Sequence, residues 1–236
     1  MSANRESTPE SITDDILTFA RDLDAAPPIH VRVSPPSDAL EGDRFNNVER
    51  QCRLRGGTPL FGRAIIAAED LYLVGEFHCV VSTPQGLIDV TPSPIGETRT
   101  LFAAYLRLQD CAPQYRPTIR ARVYGAADKK AEVEARLLDA KDADTASAGK
   151  NGITVRQLLL SKLPRDPLAA QIDDYLRAEG KLEALIVSAH DGTRNWDPSQ
   201  LTGLHAEFQR LDRRRRELYV FADRHKNFIN NGSQFR

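Results

Sequence analysis

A histidine and an aspartate stand on two adjacent strand-like runs, His78 early in EFHCVVS and Asp89 late in LIDVTP. The turn-forming sequence TPQG at 83–86 joins these runs, so the sequence predicts a β-hairpin. Antiparallel pairing around a tight turn brings such positions side by side. An imidazole held by a carboxylate is the base and orienting group of a nucleophilic triad, because the acid fixes the imidazole tautomer and stabilises the imidazolium. We therefore expect His78 and Asp89 to lie in contact.

The sequence around this hairpin resembles transglutaminase-like and papain-like thiol enzymes. More broadly, 43–102 resembles bacterial proteins with a Cys-Phe-x-Asn-Val helix, a Gly-Gly break and an FHAVW…DVTP hairpin. The elements that carry the resemblance read Phe45-Asn46-Asn47-Val48, Gly56-Gly57, Phe77-His78-Cys79-Val80-Val81 and Gly86-Leu87-Ile88-Asp89-Val90-Thr91-Pro92. The resemblance implies an α+β fold with an antiparallel sheet and packed helices. It also implies acyl transfer or amide hydrolysis of a peptide or acyl substrate, through a covalent thioester and without a cofactor. His78 would then be the general base and Asp89 its orienting group.

The nucleophile position of that pattern is occupied by a residue that cannot act as a nucleophile. In the family the cysteine begins the helix, where unpaired backbone N–H groups and the macrodipole lower the thiol pKa. Arg44 stands at that position in this chain. Cys52 is the only nearby candidate, about 12 Å further along the helix axis, near the end where the dipole raises a thiol pKa. Two hypotheses follow: a cysteine-dependent enzyme that uses Cys52, or an inactive relative in which Cys52 is a small buried apolar residue.

Composition excludes several classes of protein. The 236 residues carry 32 Lys+Arg against 33 Asp+Glu, and this net charge of −1 argues against a general nucleic-acid binder. Three cysteines without a CxxC exclude a disulfide framework and a cysteine-built zinc site, and the scattered histidines predict no metal site. Cys79 faces away from His78 in a strand, and Cys111 has no partner signal. No apolar run reaches the ~20 residues of a membrane span, and the N-terminus lacks a secretory signal, so we expect a cytoplasmic protein.

Positive charge is concentrated near the C-terminus, where 205–236 hold eight Lys+Arg against four acids. The run Arg213 to Arg216 cannot face one way, because successive helical side chains turn by about 100°. Arg215 falls on the apolar stripe of the helix, where it could pair with an acid. Arg213, Arg214 and Arg216 form either a solvated helix face or an anion-binding face for nucleic acid, phosphate or an acidic protein.

Periodicity predicts the elements that position these residues in a domain at about 1–145. We expect a helix over about 9–24 that begins at Thr8-Pro9, a strand over 29–33 and a helix over 44–54. Strands should follow over 60–68, 72–82 and 87–90, with Thr100 to Ala103 as an edge strand. Charged residues dominate 128–144, which predicts a solvated helix before a flexible linker at 147–152.

A helical module is predicted over 153–236. Thr154 with Gln157 forms a capping box, Asp166 caps the next helix, and Gly180 is its expected end. Residues 182–189 fit a helix or a buried strand equally well. The last helix carries an apolar stripe at Leu201, Leu204, Phe208, Leu211 and Leu218. Such a stripe must be buried, which predicts a protein partner, self-association or packing on the preceding helix.

Overall fold

A ring of strands forms the centre of the protein in the computed structural model, which describes residues 5–106, 117–138, 140, 142–162, 166–189 and 198–232. The described strands, in chain order, are β1 (Glu6–Ser7), β2 (Ile29–Val33), β3 (Thr58–Ala68), β4 (Tyr72–Thr83), β5 (Gly86–Asp89), β6 (Arg99–Ala104) and β7 (Ile119–Arg122). The described helices are α1 (Asp14–Asp22), α2 (Arg44–Arg55), α3 (Ala126–Leu138), α4 (Asp142–Lys150), α5 (Val155–Lys162), α6 (Pro167–Ala189) and α7 (Pro198–Gly232). The chain is therefore a mixed α+β protein with helices at its C-terminal end.

Five strands close on themselves. Strand β3 pairs with both β4 and β6, β4 pairs with β5, and β2 joins β5 to β6. Every pairing in this ring is antiparallel except β2–β5, which is parallel. The predicted antiparallel sheet is therefore present with one parallel exception, and β6 has a partner on each side rather than forming an edge. Closure of this kind removes strand edges and gives the sheet an interior and an exterior.

Side chains alternate between these two surfaces because a β-strand has a period of two residues. The interior holds the buried Val31, Val80 and Phe102. The exterior packs against α2 through Cys79 and Val81 and against α1 through Leu73 and Leu101. We refer to these surfaces as the ring interior and the ring exterior.

The C-terminal helices pack on the far end of the β3–β4 hairpin. Their shared core joins hairpin residues to α6 and α7 and contains Tyr72, Val74, Leu168, Ile172, Tyr175, Leu218 and Ala222. The apolar stripe of the last helix is therefore buried in part within the chain itself, since Leu218 is 2% exposed and Leu204 9%. Phe208 remains 51% exposed, and the side chain of Leu201 lies outside the described residues.

Several predicted element boundaries are wrong, and two caps are confirmed. Helix α1 begins after Thr13, which accepts from the Ile16 amide, whereas Thr8 binds Glu97 instead. The predicted linker at 147–152 overlaps α4, and α6 continues through Gly180 to Ala189, which makes 182–189 helical. Packing against neighbouring elements explains both extensions, because tertiary contacts override weak local propensity. The capping box at Thr154 and the Asp166 cap are present as predicted.

Among the described residues, no helix has both the length and the apolar character needed to cross a bilayer.

Candidate functional site

The predicted contact between His78 and Asp89 is present. His78 Nε2 lies 2.8 Å from Asp89 Oδ2, and the two residues are 7% and 2% exposed. Strand β5 pairs with β4 so that Ile88 lies opposite Val81. In that register Asp89 reaches the level of Val80, on the same surface as His78. The hairpin register thus places the two side chains side by side.

Two further donors hold the Asp89 carboxylate. The Thr91 amide donates to Oδ1 over 3.0 Å, and the Thr100 hydroxyl donates to Oδ2 over 2.7 Å. Burial raises the pKa of Asp89, but the hydrogen bonds from His78, Thr91 and Thr100 outweigh it and hold that pKa below its ordinary value. Asp89 is therefore an anion at neutral pH, and His78 donates its Nε2 proton to it. Sequence analysis missed Thr100, because β6 meets β5 only through the intervening β2.

The pair lies in the ring interior. His78 alternates with Cys79, which faces α2 on the exterior, and the His78 ring lies edge-on to the interior Phe102 with centroids 6.3 Å apart. Cys52 packs with Cys79 and Val81 on the exterior. The wall of the ring therefore separates the Cys52 thiol from the His78 imidazole. Of the three predicted catalytic residues, the fold brings together His78 and Asp89 but not Cys52.

The environment of Cys52 does not activate its thiol. Burial raises the pKa of the Cys52 thiol and outweighs a backbone hydrogen bond that lowers it. Cys79 is buried, whereas Cys111 lies outside the described residues. Within the described part of the chain, no three histidine, cysteine or acidic residues converge in a way that could hold a metal ion.

Arg44 joins the start of α2 to the strand that carries His78. Its guanidinium donates to the Phe77 carbonyl over 2.6 Å and lies 3.3 Å from Glu76 Oε2. Both contacts lie beside His78 in the sequence, and the Glu76 side chain is on the same face of β4 as His78. Arg44 thus fixes the start of α2 to β4.

A second concentration of ionisable groups lines a groove between α6 and α7. The two helices run antiparallel, since His225 of α7 lies 3.7 Å from Asp166 at the start of α6. The groove has a volume of about 1180 Å³. We call it the α6–α7 groove. Its charged lining residues are seven cations and three carboxylates, a formal excess of four positive charges: Arg177, Lys181, Arg210, Arg213, Arg214, Arg216, Arg224, Asp174, Glu207 and Glu217.

The four arginines of the predicted run face different surroundings, as expected from the rotation of about 100° between successive helical residues. Arg215 pairs with Asp212 at 2.9 Å and approaches Glu6, as expected for a residue on the apolar stripe. Arg216 lines the groove and also pairs with Asp212 at 2.6 Å. Arg213 and Arg214 line the groove, are exposed, and make no ion pair with any residue that the structure describes. Of the three predicted anion-binding arginines, Arg213 and Arg214 thus have no competing carboxylate among the described residues.

Two more cations of the groove were missed by sequence analysis. Lys181 on α6 and Arg224 on α7 are exposed, and neither makes an ion pair within the described ranges. In contrast, Arg177 and Arg210 pair with Asp174 and Glu207 of their own helices. Arg213 and Arg214 follow Arg210 by three and four residues, and Arg224 follows Arg213 by eleven, or about three helical turns. This spacing could have indicated the α7 part of the surface. The contribution of Lys181 depends on the packing of α6 against α7.

Comparisons with known proteins add no further identification. The chain matches no protein-family model, no curated protein and no solved structure.

Proposed function

We propose that this chain is a non-catalytic binding protein that recognises an acidic protein partner through the α6–α7 groove. The observation that carries the proposal is the groove's excess of four positive charges on a chain whose net charge is −1. A concave surface lined by one sign of charge concentrates the field and attracts ligands of the opposite sign. Four of its cations, at positions 181, 213, 214 and 224, are exposed and lack an ion-pair partner among the described residues.

A protein partner fits this groove better than a nucleic acid. Nucleic-acid surfaces combine basic side chains with exposed aromatic rings on which bases stack. The two aromatic residues in this groove are Tyr175, which is 3% exposed, and the half-buried Phe221. Its exposed apolar side chains are instead aliphatic, Leu185 at 49% and Val220 at 50%. Aliphatic contacts between basic groups suit a protein segment that carries carboxylates and apolar residues.

A charge-reversal experiment tests the proposal. The probe is a fluorescein-labelled 15-residue poly-glutamate peptide, and its binding is followed by fluorescence anisotropy at 50 mM and 200 mM salt. We expect the wild-type protein to bind the probe, more weakly at the higher salt because screening shortens the range of the attraction. The double variant Arg213→Glu/Arg214→Glu should lose at least tenfold in affinity.

The matched control changes the same amount of charge elsewhere. Arg53 and Arg55 are exposed on α2, far along the chain from the groove, and make no ion pair within the described part of the molecule. Arg53→Glu/Arg55→Glu should bind the probe within about twofold of the wild-type protein. Equal losses in both variants would show attraction to net charge alone and would contradict the proposal, as would an absence of binding by the wild-type protein at 50 mM salt.

Thiol-dependent catalysis is the second candidate, favoured by the 2.8 Å contact between His78 and Asp89. The position of Cys52 on the ring exterior and its raised thiol pKa weigh against it. We therefore expect Cys52 to react with iodoacetamide at pH 7 no faster than an ordinary thiol. Mass spectrometry of the native protein measures this rate, and rapid alkylation that His78→Ala abolishes would restore the enzymatic hypothesis.

A further inference from the structure

Two exposed aliphatic side chains lie at opposite ends of the α6–α7 groove. Val220 stands five residues before His225, which lies beside the start of α6, and Leu185 stands nineteen residues after Asp166 at that start. At 1.5 Å per helical residue these positions lie about 7 Å and about 28 Å along the hairpin axis. The separation of the two side chains along the groove is therefore about 21 Å.

The interval between them holds cations that lack an ion-pair partner among the described residues, together with the carboxylate of Glu217. Lys181 lies one helical turn before Leu185 on α6, while Arg213 and Arg214 lie about two turns before Val220 on α7. Along the helix axes, the groove thus presents an apolar site, then a basic centre, then a second apolar site. A partner that matches this order carries carboxylates in the middle of one face and an aliphatic side chain near each end.

We propose, as a refinement that rests on the proposed function, that the partner is an acidic amphipathic helix lying along the groove. A distance of about 21 Å corresponds to about fourteen residues of α-helix, so the aliphatic residues should stand at positions i and i+14 of the partner. Between them, carboxylates at three- and four-residue spacing would face the basic centre. Third helices commonly bind in this way, with an apolar face in a groove between two others.

The experiment uses the full chain and two 18-residue peptides of identical composition. The matched peptide carries Leu at positions 2 and 16 and Glu at positions 5, 9 and 12 in an alanine-rich helix. The shifted peptide moves the second Leu by two positions, which turns it by about 200° to the opposite face of the helix. Anisotropy at 50 mM salt should give about tenfold tighter binding of the matched peptide.

Protein variants assign that preference to the groove. Leu185→Ser and Val220→Ser change side chains that are already half exposed, so the fold should persist. Each should reduce the preference for the matched peptide to about threefold or less. Leu160→Ser, at a 41% exposed position on α5, is the control and should keep the tenfold preference. The variant Arg213→Glu/Arg214→Glu should weaken the binding of both peptides.

The possible failures are distinguishable. If both peptides bind equally and both depend on Arg213 and Arg214, the helical register is overturned while the proposed function stands. If neither peptide nor poly-glutamate binds in a way that depends on these arginines, both proposals fail. If a 15-nucleotide single-stranded DNA binds more tightly than the matched peptide at the same salt, the choice of a protein partner is overturned.

Discussion

The ring interior and the α6–α7 groove hold ionisable groups under opposite conditions. In the interior, Asp89 is 2% exposed, and His78, the Thr91 amide and the Thr100 hydroxyl donate to its carboxylate. In the groove, most charged side chains are exposed and four cations have no described ion-pair partner. A buried charge must be satisfied within the fold, because an unpaired one costs several kcal/mol. An exposed charge keeps its hydration and remains available to a ligand. We therefore propose that the interior pair contributes to stability and that the groove serves binding.

Removing the interior carboxylate should have the largest effect. Asp89→Ala leaves the His78 N–H and the Thr100 hydroxyl without their acceptor inside the ring. Breaking one partner of a buried pair costs about 3–5 kcal/mol, so we expect a loss of that size in the free energy of unfolding. Urea denaturation followed by circular dichroism measures it. A loss below about 1 kcal/mol would show that the interior tolerates the unpaired groups and would remove the contrast with the groove.

The substitution Gly62→Ala, which adds a methyl group to the ring, should have the second-largest effect on stability. This glycine lies opposite His78 in the β3–β4 ladder, and a Cβ atom there would lie 2.2 Å from the Ala103 carbonyl oxygen and 2.7 Å from the Phe102 ring. Because the first contact is with backbone, the strand must shift, and overpacking of this kind costs about 3 kcal/mol. Gly62→Ala should therefore lower the urea midpoint strongly. Unchanged stability would mean that the ring is wider than the structure describes.

Acid should weaken the contribution of the interior pair as Asp89 becomes protonated. The folded-state pKa of Asp89 lies below its unfolded value, so its contribution is complete above about pH 4 and is lost as the pH falls through the folded pKa. The difference in unfolding free energy between wild type and Asp89→Asn should therefore shrink from pH 6 to pH 3. Thermal unfolding across this range measures the difference, and a constant gap would contradict the assignment.

The smallest expected effect is a gain in protein stability from a substitution in α6, next to the groove. Gly180 lies inside α6, and no atom outside its own helix turn lies within 4 Å of a Cβ added there. Gly180→Ala should stabilise the protein by about 0.5–1 kcal/mol, since alanine loses less backbone entropy in a helix than glycine. Gly62→Ala should lower the free energy of unfolding, whereas Gly180→Ala should raise it. The two variants therefore form a matched pair. A destabilised Gly180→Ala would show that α6 is kinked or that its groove face is occupied.

The local sequence pattern was sufficient to predict the β4–β5 hairpin and the bounds of α2 to within one residue. The turn at 83–86 and the alternation on either side predicted the contact of His78 with Asp89, because strand pairing around a short turn is a local property. Helix α2 runs over 44–55 against a prediction of 44–54. Sequence periodicity failed at Gly180, where a predicted helix end lies inside α6, and at 147–150, where the first part of the predicted linker is helical.

Side-chain identity and spacing alone determined which residues could pair, which could not act as nucleophiles, and where positive charge accumulates. The tertiary structure decided which side of the sheet each group faces. Ring closure places Cys52 and His78 on opposite sides of one wall, a relation that depends on pairings between strands distant in sequence. The antiparallel packing of α6 on α7 likewise joins Lys181 to the arginine run. Neither arrangement is encoded in a short window of sequence, because each depends on long-range contacts that form only when the whole core assembles.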